Sequence, residues 1–409
     1  SMTELAYSGV GLNPHFGTPE NPLKQGRIPG GSTSGGAVSV ATGLADIALG
    51  TDTGGSLRIP AAFCGLVGFK PSQQSVSSKG CLPLSQSLDS IGVMANSVND
   101  CSLAWHVLSD KKEEHVDHDF ILKVPTNFGM DEASSIVREA FDSVIKSLQD
   151  QGLKIEHGSY PIFEAYQQLP VWQFSAVESR RYFASLIDLE SDLLDPRVRQ
   201  RIARGKGVTD EEFSNTQRLR HDLIERMSAE EANTVFIMPT VACIAPDFSD
   251  FATDEDFNRI NLLCLRNTSF ANVIDGCSLS LPFTYQGEPI GLMLTAKNGD
   301  DQEFGRGSFE YDRYYGDHSI TPNPCLAPIT EAPFYAMKQD PGDFGTHGGL
   351  AFNNNAQVLR ADGSVIEGLY ACGNTARAIL PNYPGPGATL GPAMTFGFLA
   401  AKHITGFKS

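Results

Sequence analysis

The residues of this chain best placed to do chemistry are serines set behind glycines. In "GTDTGGSLRIPAAFCG" (Gly50 to Gly65) Ser56 follows Gly54 and Gly55, and in "PGGSTSGGA" (Pro29 to Ala37) Ser32 follows Gly30 and Gly31. Glycine admits backbone conformations closed to other residues and lets a ligand approach the main chain. A serine after it can present an exposed hydroxyl as a nucleophile. Taken singly, a Gly-Gly-Ser triplet reads as a tight turn between buried segments, because these residues dominate turns. Two such clusters, with Ser32 lying 24 residues before Ser56, offer two hydroxyls and several backbone N–H groups in one place. An arginine, Arg58, interrupts the apolar run that follows.

The elements between and beyond the clusters must bring them together. "VSVATGLADIALG" reads as a helix with Val38, Ala41, Leu44 and Ala45 on one face, giving way to a short buried strand at Ile47 to Leu49. That connection is short enough to return Ser32 beside Ser56. Further on, Ile136, Val137, Ala140, Phe141, Val144, Ile145 and Leu148 form a helical stripe, with Gly152 as a stop. "VFIMP" (Val235 to Pro239) is a continuous apolar run, as for a strand buried on both faces. Helical and strand patterns alternate over the first 300 residues, which predicts an α/β fold.

Two other constellations lead nowhere. His115, Asp117, His118 and Asp119 lie in the charged run "DKKEEHVDHDF", which reads as a solvated link before the strand "FILKVP", so no metal site is expected. His106 sits on an amphipathic helix and reads as structural. No G-x-S-x-G elbow is present to support a Ser-His-Asp hydrolase.

Composition bounds the function. The length of 409 residues suggests two or three domains, or one large and one small, and 41% hydrophobic residues suffice for a core. A net charge of −17 argues against nucleic acid or an anionic membrane as partner. No apolar stretch reaches the roughly 18 residues of a membrane span, and the start lacks the basic and apolar regions of a signal peptide. Eight cysteines without a C-x-x-C pair read as a reduced, cytoplasmic protein, with Cys64 in the core.

The run from Gly30 to Pro71 resembles the signature of the amidase signature family almost residue for residue. "VSSKGCLPLSQSLDSIGVMANSVND" (Val76 to Asp100) resembles the segment that follows there, and "RNTSFANVIDGCSLSLPF" with "GEPIGLMLTA" resembles the family's later core strands, so the resemblance covers about residues 2–300. It implies a mixed sheet flanked by helices and a serine–serine–lysine catalytic set. By position Ser56 resembles the nucleophile and Ser32 the bridging serine, held on a cis peptide bond and within hydrogen-bond reach of Ser56. Thr33 and Ser34 are the alternatives to Ser32, and the 24-residue spacing favours Ser32. The N–H groups of Thr53, Gly54 and Gly55 resemble the oxyanion hole. No cofactor is implied, and the substrate is a small-molecule amide.

The family's base is a neutral lysine that acts through the bridging serine and lies several tens of residues ahead of the first cluster. No residue of this chain matches it, so it would precede residue 1. Lys24, in a polar loop, and Lys70, in "GFKPS", are the nearest substitutes.

The pattern breaks after "TAKNGDDQ". From about Glu303 to Phe407, "APFYAMKQDPGDFGTHGGLAFNNNAQVLRADGSVIEGLYACGNTA" and "YPGPGATLGPAMTFGFLAA" resemble the C-terminal end of flavoproteins of the 3-ketosteroid dehydrogenase group. Read without the family, the second run is a glycine and proline loop ahead of an apolar helix. The resemblance implies that Tyr383 and Gly387 polarise a steroid ketone, that Gly373 and Asn374 line the flavin, and that a helix near Gly391 points its N-terminus at it. The Gly-rich turn that would hold the FAD pyrophosphate is absent from the sequence. The expectation is an amidase core over 1–301 joined to a smaller α+β flavoprotein fragment over 302–409. Its first function is amide hydrolysis through Ser56. FAD-dependent ketosteroid dehydrogenation, or a fusion with neither activity, is the alternative.

Overall fold

Eight strands form one mixed sheet: β1 (Ile47–Asp52), β2 (Val67–Lys70), β3 (Ser90–Ala95), β4 (Ile121–Pro125), β5 (Ile155–Gly158), β6 (Thr234–Pro239), β7 (Ser278–Tyr285) and β8 (Glu288–Thr295). Their spatial order is β1-β3-β2-β7-β8-β6-β4-β5. Pairing is antiparallel from β1 across to β6, then parallel for β6 with β4 and β4 with β5. Parallel neighbours need a crossover, and helix α4 (Ser135–Asp150) supplies the one between β4 and β5. The other helices of this part are α1 (Ser34–Ala41), α2 (Arg58–Cys64), α3 (Val98–Ser109), α5 (Pro161–Gln167), α6 (Trp172–Phe183), α7 (Pro196–Arg204), α8 (Asp210–Ser228), α9 (Asp254–Leu265) and α10 (Ser269–Val273).

This computed structural model describes residues 1–109, 120–230, 233–298, 349–377 and 390–406. The chain divides into two units, Ser1–Arg306 and Gly307–Ser409.

Side-chain alternation splits the central strands between two cores. In β6, Val235 and Ile237 pack with Phe141 and Ile145 of α4, while Phe236 and Met238 join an aromatic core with Phe163, Phe174 and Phe270. In β3, Val93 and Ala95 pack with Cys101 of α3, while Met94 packs with Ala37, Val40, Leu57 and Ala61 of the α1–α2 side. With both faces covered, β6 is buried throughout, as its apolar run predicts. The α4 stripe is buried at Val137, Ala140, Phe141 and Ile145, and Gly152 follows with φ +90°.

The strand after the first cluster departs from expectation. β1 is the edge strand and its burial alternates between its two faces: Ala48 is buried while Leu49 is 57% exposed. The preceding helix starts earlier than the apolar pattern and ends at Ala41, so its buried positions are Ser34, Ala37 and Val40, and Leu44 lies exposed past its end. Among the described residues no helix is long and apolar enough to cross a membrane.

The second unit contains an antiparallel pair, β9 (Gln357–Leu359) and β10 (Val365–Tyr370), turned through Gly363 at φ +81°. A 3₁₀ turn at Gly373–Thr375 follows, and then helix α11 (Leu390–Thr405). Within this unit the Tyr370 hydroxyl and His403 Nδ1 are hydrogen-bonded at 2.7 Å.

Candidate active site

The helix–strand connection returns the two glycine clusters to one place. The Thr33 N–H donates to the Ser56 carbonyl at 3.3 Å, and the Gly31–Ser32 peptide is cis. Close backbone contact explains the glycine at position 31: a Cβ there would lie 2.5 Å from the Gly11 nitrogen. Ser32 is fully buried and Ser56 nearly so. The expected bond between the two hydroxyls is not formed. A main-chain hydrogen bond joins the loops instead, and among the described residues the buried Ser32 Oγ has no hydrogen-bond partner.

Why Gly54, Gly55 and Ser56 stand together follows from what grips them. Gly55 has φ +134°, and a Cβ there would lie 2.3 Å from Thr268 Oγ1, so no other residue fits. The Gly54 carbonyl accepts from the hydroxyls of Thr268 and Ser269. Asp52, at the end of β1, turns its carboxylate under the loop and accepts from the N–H groups of Gly55 (2.8 Å) and Leu57 (3.2 Å). The Gly55 N–H is thus engaged by Asp52 rather than turned outward, which departs from the oxyanion role expected of it. No such bond takes the amides of Thr53 or Gly54 among the described residues.

Arg58 answers for its place in an apolar run. It is wholly buried and forks onto Asp52, with Nε at 3.1 Å from Oδ2 and Nη2 at 2.8 Å from Oδ1. Its remaining donors reach the Thr268 carbonyl (2.8 Å) and Asn272 Oδ1 (2.7 Å), while Asn272 Nδ2 donates back to Asp52. Burial alone would raise the Asp52 carboxyl, but the Arg58 guanidinium, helped by Lys70 and Asn272, holds it below the ordinary range. Such a pair survives burial because every donor and acceptor is met.

Neither substitute lysine meets the serines. Lys70 Nζ is buried and donates to the carbonyls of Pro71 (2.8 Å) and Gly276 (2.6 Å), and burial together with Arg58 brings it down to about 8. Lys24 Nζ pairs with Glu288 at 3.0 Å.

The Thr53 hydroxyl donates to Asp89 at 2.5 Å, and the other Asp89 oxygen accepts from the N–H groups of Leu84 and Ser85. Burial pushes the Asp89 carboxyl up to about 6, against the pull of those hydrogen bonds. The folded chain therefore keeps this proton where the unfolded chain, with a carboxyl near about 3.9, has lost it. Stability from Asp89 is full below the unfolded value and falls as pH rises through the folded one. Asp89→Asn keeps the neutral shape, and its urea stability is expected to change less than the parent's between about pH 4 and 6. Parallel profiles for the two chains would rule Asp89 out as the source.

Ser56, Thr53 and Gly54 open on a cavity of about 580 Å³, walled by Leu84, Leu88, Tyr166, Trp172, Leu262 and Leu265 among others. Arg201, Arg204 and Arg266 also line it. Of the remaining expected positions, Gly373 and Asn374 form the 3₁₀ turn of the second unit, with Gly373 at φ +64°. Tyr383, Gly387, His115, Asp117, His118 and Asp119 lie outside the described residues. His106 bonds its own helix, through the Ser102 carbonyl at 2.6 Å. Sequence reasoning missed Asp52, Asn272 and the three cavity arginines. Only Arg58, charged within an apolar run, left a local signal.

The amidase family model matches residues 1–304, and the FAD binding domain model matches residues 292–390. A 2-amino-5-chloromuconic acid deaminase from Comamonas testosteroni is 31% identical over 308 residues, 71% of this chain and 66% of its own. A 3-oxosteroid 1-dehydrogenase from Mycobacterium tuberculosis is 53% identical over 110 residues, 27% of this chain and 20% of its own. The chain thus spans just under two thirds of the first relative and about a fifth of the second. A crystal structure of an amidase superposes with a TM-score of 0.65 at 30% identity, over 73% of this chain and 70% of that one. The amidase family model matches three quarters of the chain and an amidase structure superposes on the same portion, and the chain belongs to the amidase family.

Proposed function

We propose that this chain carries the site of a hydrolase for carbon–nitrogen amide bonds of small molecules, with Ser56 as nucleophile. The observation that carries the reading is the joint exposure of Ser56, Thr53 and Gly54 to one cavity, on a loop gripped from below by Asp52 and Arg58. In this reading Ser56 Oγ attacks the amide carbon, and the N–H groups of Thr53 and Gly54 take up the negative charge on the carbonyl oxygen. The C–N bond breaks, the leaving nitrogen takes a proton and departs, and an ester on Ser56 remains. Water then cleaves the ester and returns the proton to Ser56. Ser32 carries the proton between Ser56 and a base. Its buried, unpartnered hydroxyl supports that role, since it has capacity to accept and donate.

The base is the missing member. Among the described residues no lysine bonds to Ser32 or Ser56, and in the amidase resemblance the lysine matches no residue of this chain. The test is hydrolysis of aliphatic and aromatic amides by this chain, by Ser56→Ala, and by a chain carrying a family-type N-terminal segment with its lysine. Activity in the extended chain that Ser56→Ala leaves intact would overturn the reading.

The second unit favours no flavin reaction. Its FAD binding domain match covers residues 292–390, yet the sequence has no G-x-G-x-x-G turn after a strand for the pyrophosphate. The residues present do not make up an FAD site. The purified chain is expected to show no flavin absorbance at stoichiometric level, and one tightly bound FAD per chain would refute this.

A further inference from the structure

The cavity beside Ser56 contradicts the charge of the chain that forms it. Net charge is −17, yet the charged residues lining the cavity are Arg201, Arg204 and Arg266, with no aspartate or glutamate among them. Arg201 is committed to structure: it donates to the Tyr7 carbonyl and stacks over Phe257 with its guanidinium carbon 5.2 Å from the ring centre. Burial brings it down to about 10, so it stays charged at neutral pH.

The other two have donors to spare. Arg204 lies over the Trp172 ring at 4.3 Å and makes no ion pair among the described residues. Arg266 pairs through Nη1 with the exposed Glu132 at 2.9 Å, but its Nε and Nη2 are buried without a partner among the described residues. An unpaired buried donor is costly, and more so on a charged group. The buried donors of Arg266 and the exposed fork of Arg204, which makes no ion pair among the described residues, lie in the wall of the cavity that holds Ser56; they suit an anion whose oxygens accept in the plane of a guanidinium, and a carboxylate is the smallest such group that an apolar spacer carries. Leucines and aromatic rings make up much of the wall between, which suits an apolar spacer. A volume of about 580 Å³ admits a small molecule and little more.

We propose that the substrate is an anionic amide, a monoamide of a short dicarboxylic acid, whose carboxylate is held by Arg204 and Arg266 while its amide carbonyl lies at Ser56. This rests on the hydrolase reading for its amide end alone. The carboxylate end stands on the arginines.

The test is binding, measured where no chemistry occurs. Adipamate and adipamide share length and spacer and differ by one carboxylate. Calorimetric titration of each into the 409-residue chain carrying Ser56→Ala is expected to show adipamate binding at least about tenfold tighter, since hydrogen bonds between charged groups contribute roughly 1.5–3 kcal/mol. That advantage is expected to shrink with added salt and to fall to about unity when Arg204→Gln and Arg266→Gln are combined, with circular dichroism confirming that the variant folds. Equal binding of the two ligands, a preference that survives both substitutions, or no binding of adipamate would overturn the proposal. The two readings separate cleanly. Arginine-dependent binding of adipamate with no hydrolysis by the lysine-bearing chain leaves the anion site standing and removes the hydrolase. Hydrolysis of both amides at equal kcat/KM does the reverse.

Discussion

Assayed on simple amides, the 409-residue chain is expected to turn over roughly 10⁴ to 10⁶ times more slowly than the same chain carrying a family-type lysine segment, the range seen when one member of a comparable catalytic set is removed. A serine hydroxyl at neutral pH is almost wholly protonated and is a weak nucleophile until a base relieves it of that proton. Lys70 has a lowered pKa, about 8, as a base would need. Its ammonium is nevertheless bound to the carbonyls of Pro71 and Gly276, and hydrogen-bond reach comes before pKa. On the proposed reading, what stays is the loop with its free amides and the cavity, which together are expected to leave about 10³-fold acceleration over water. Ser56→Ala should therefore change the rate of the present chain little and abolish that of the extended one. Ordinary enzymatic turnover by the present chain, lost in Ser56→Ala, would mean that Lys70, Lys24 or another group already serves as base.

Arg58→Ala is expected to destabilise the N-terminal unit by about 3–5 kcal/mol, because it leaves the Asp52 carboxylate buried and uncompensated. That is a large share of the roughly 5–15 kcal/mol that holds a typical domain folded. Arg58→Lys should recover part of the loss, since a point charge replaces a fork that meets Asp52, Asn272 and Thr268 at once. Pairing Arg58→Met with Asp52→Asn removes both charges and should be milder than Arg58→Ala. Urea unfolding midpoints measure all three. A cost below about 1 kcal/mol for Arg58→Ala would show that water or a rearranged neighbour meets Asp52 and that the pair is not what fixes the loop.

The approach of the two serine loops was legible from two glycine clusters at a fixed spacing, and α4 and β6 from apolar periodicity, because these signals are local. The exposure of β1 was not. Ile47 to Leu49 is as apolar as a buried strand, and only the order β1-β3-β2 puts it at the edge. The role of Asp52 was hidden for a different reason: its partner Asn272 lies 220 residues away, and nothing near either residue announces the other. The cavity arginines come from the ends of α7 and α9, where a basic residue looks like any solvated helix terminus. The two family segments were legible because each carries specific motifs in its own stretch of the chain.

The span between Asp52 and Asn272 also sets a schedule. A ribosome adding about 5–20 residues per second delivers Asn272 roughly 10–45 s after Asp52. Throughout that interval the Gly54–Ser56 loop exists as covalent chain while Thr268, Ser269 and Asn272 have yet to be made, so the serine cannot be set before the chain has been synthesised through Asn272. The grip on the loop is completed only when the stretch from Thr268 to Asn272 arrives, after β1 to β6 have all been made.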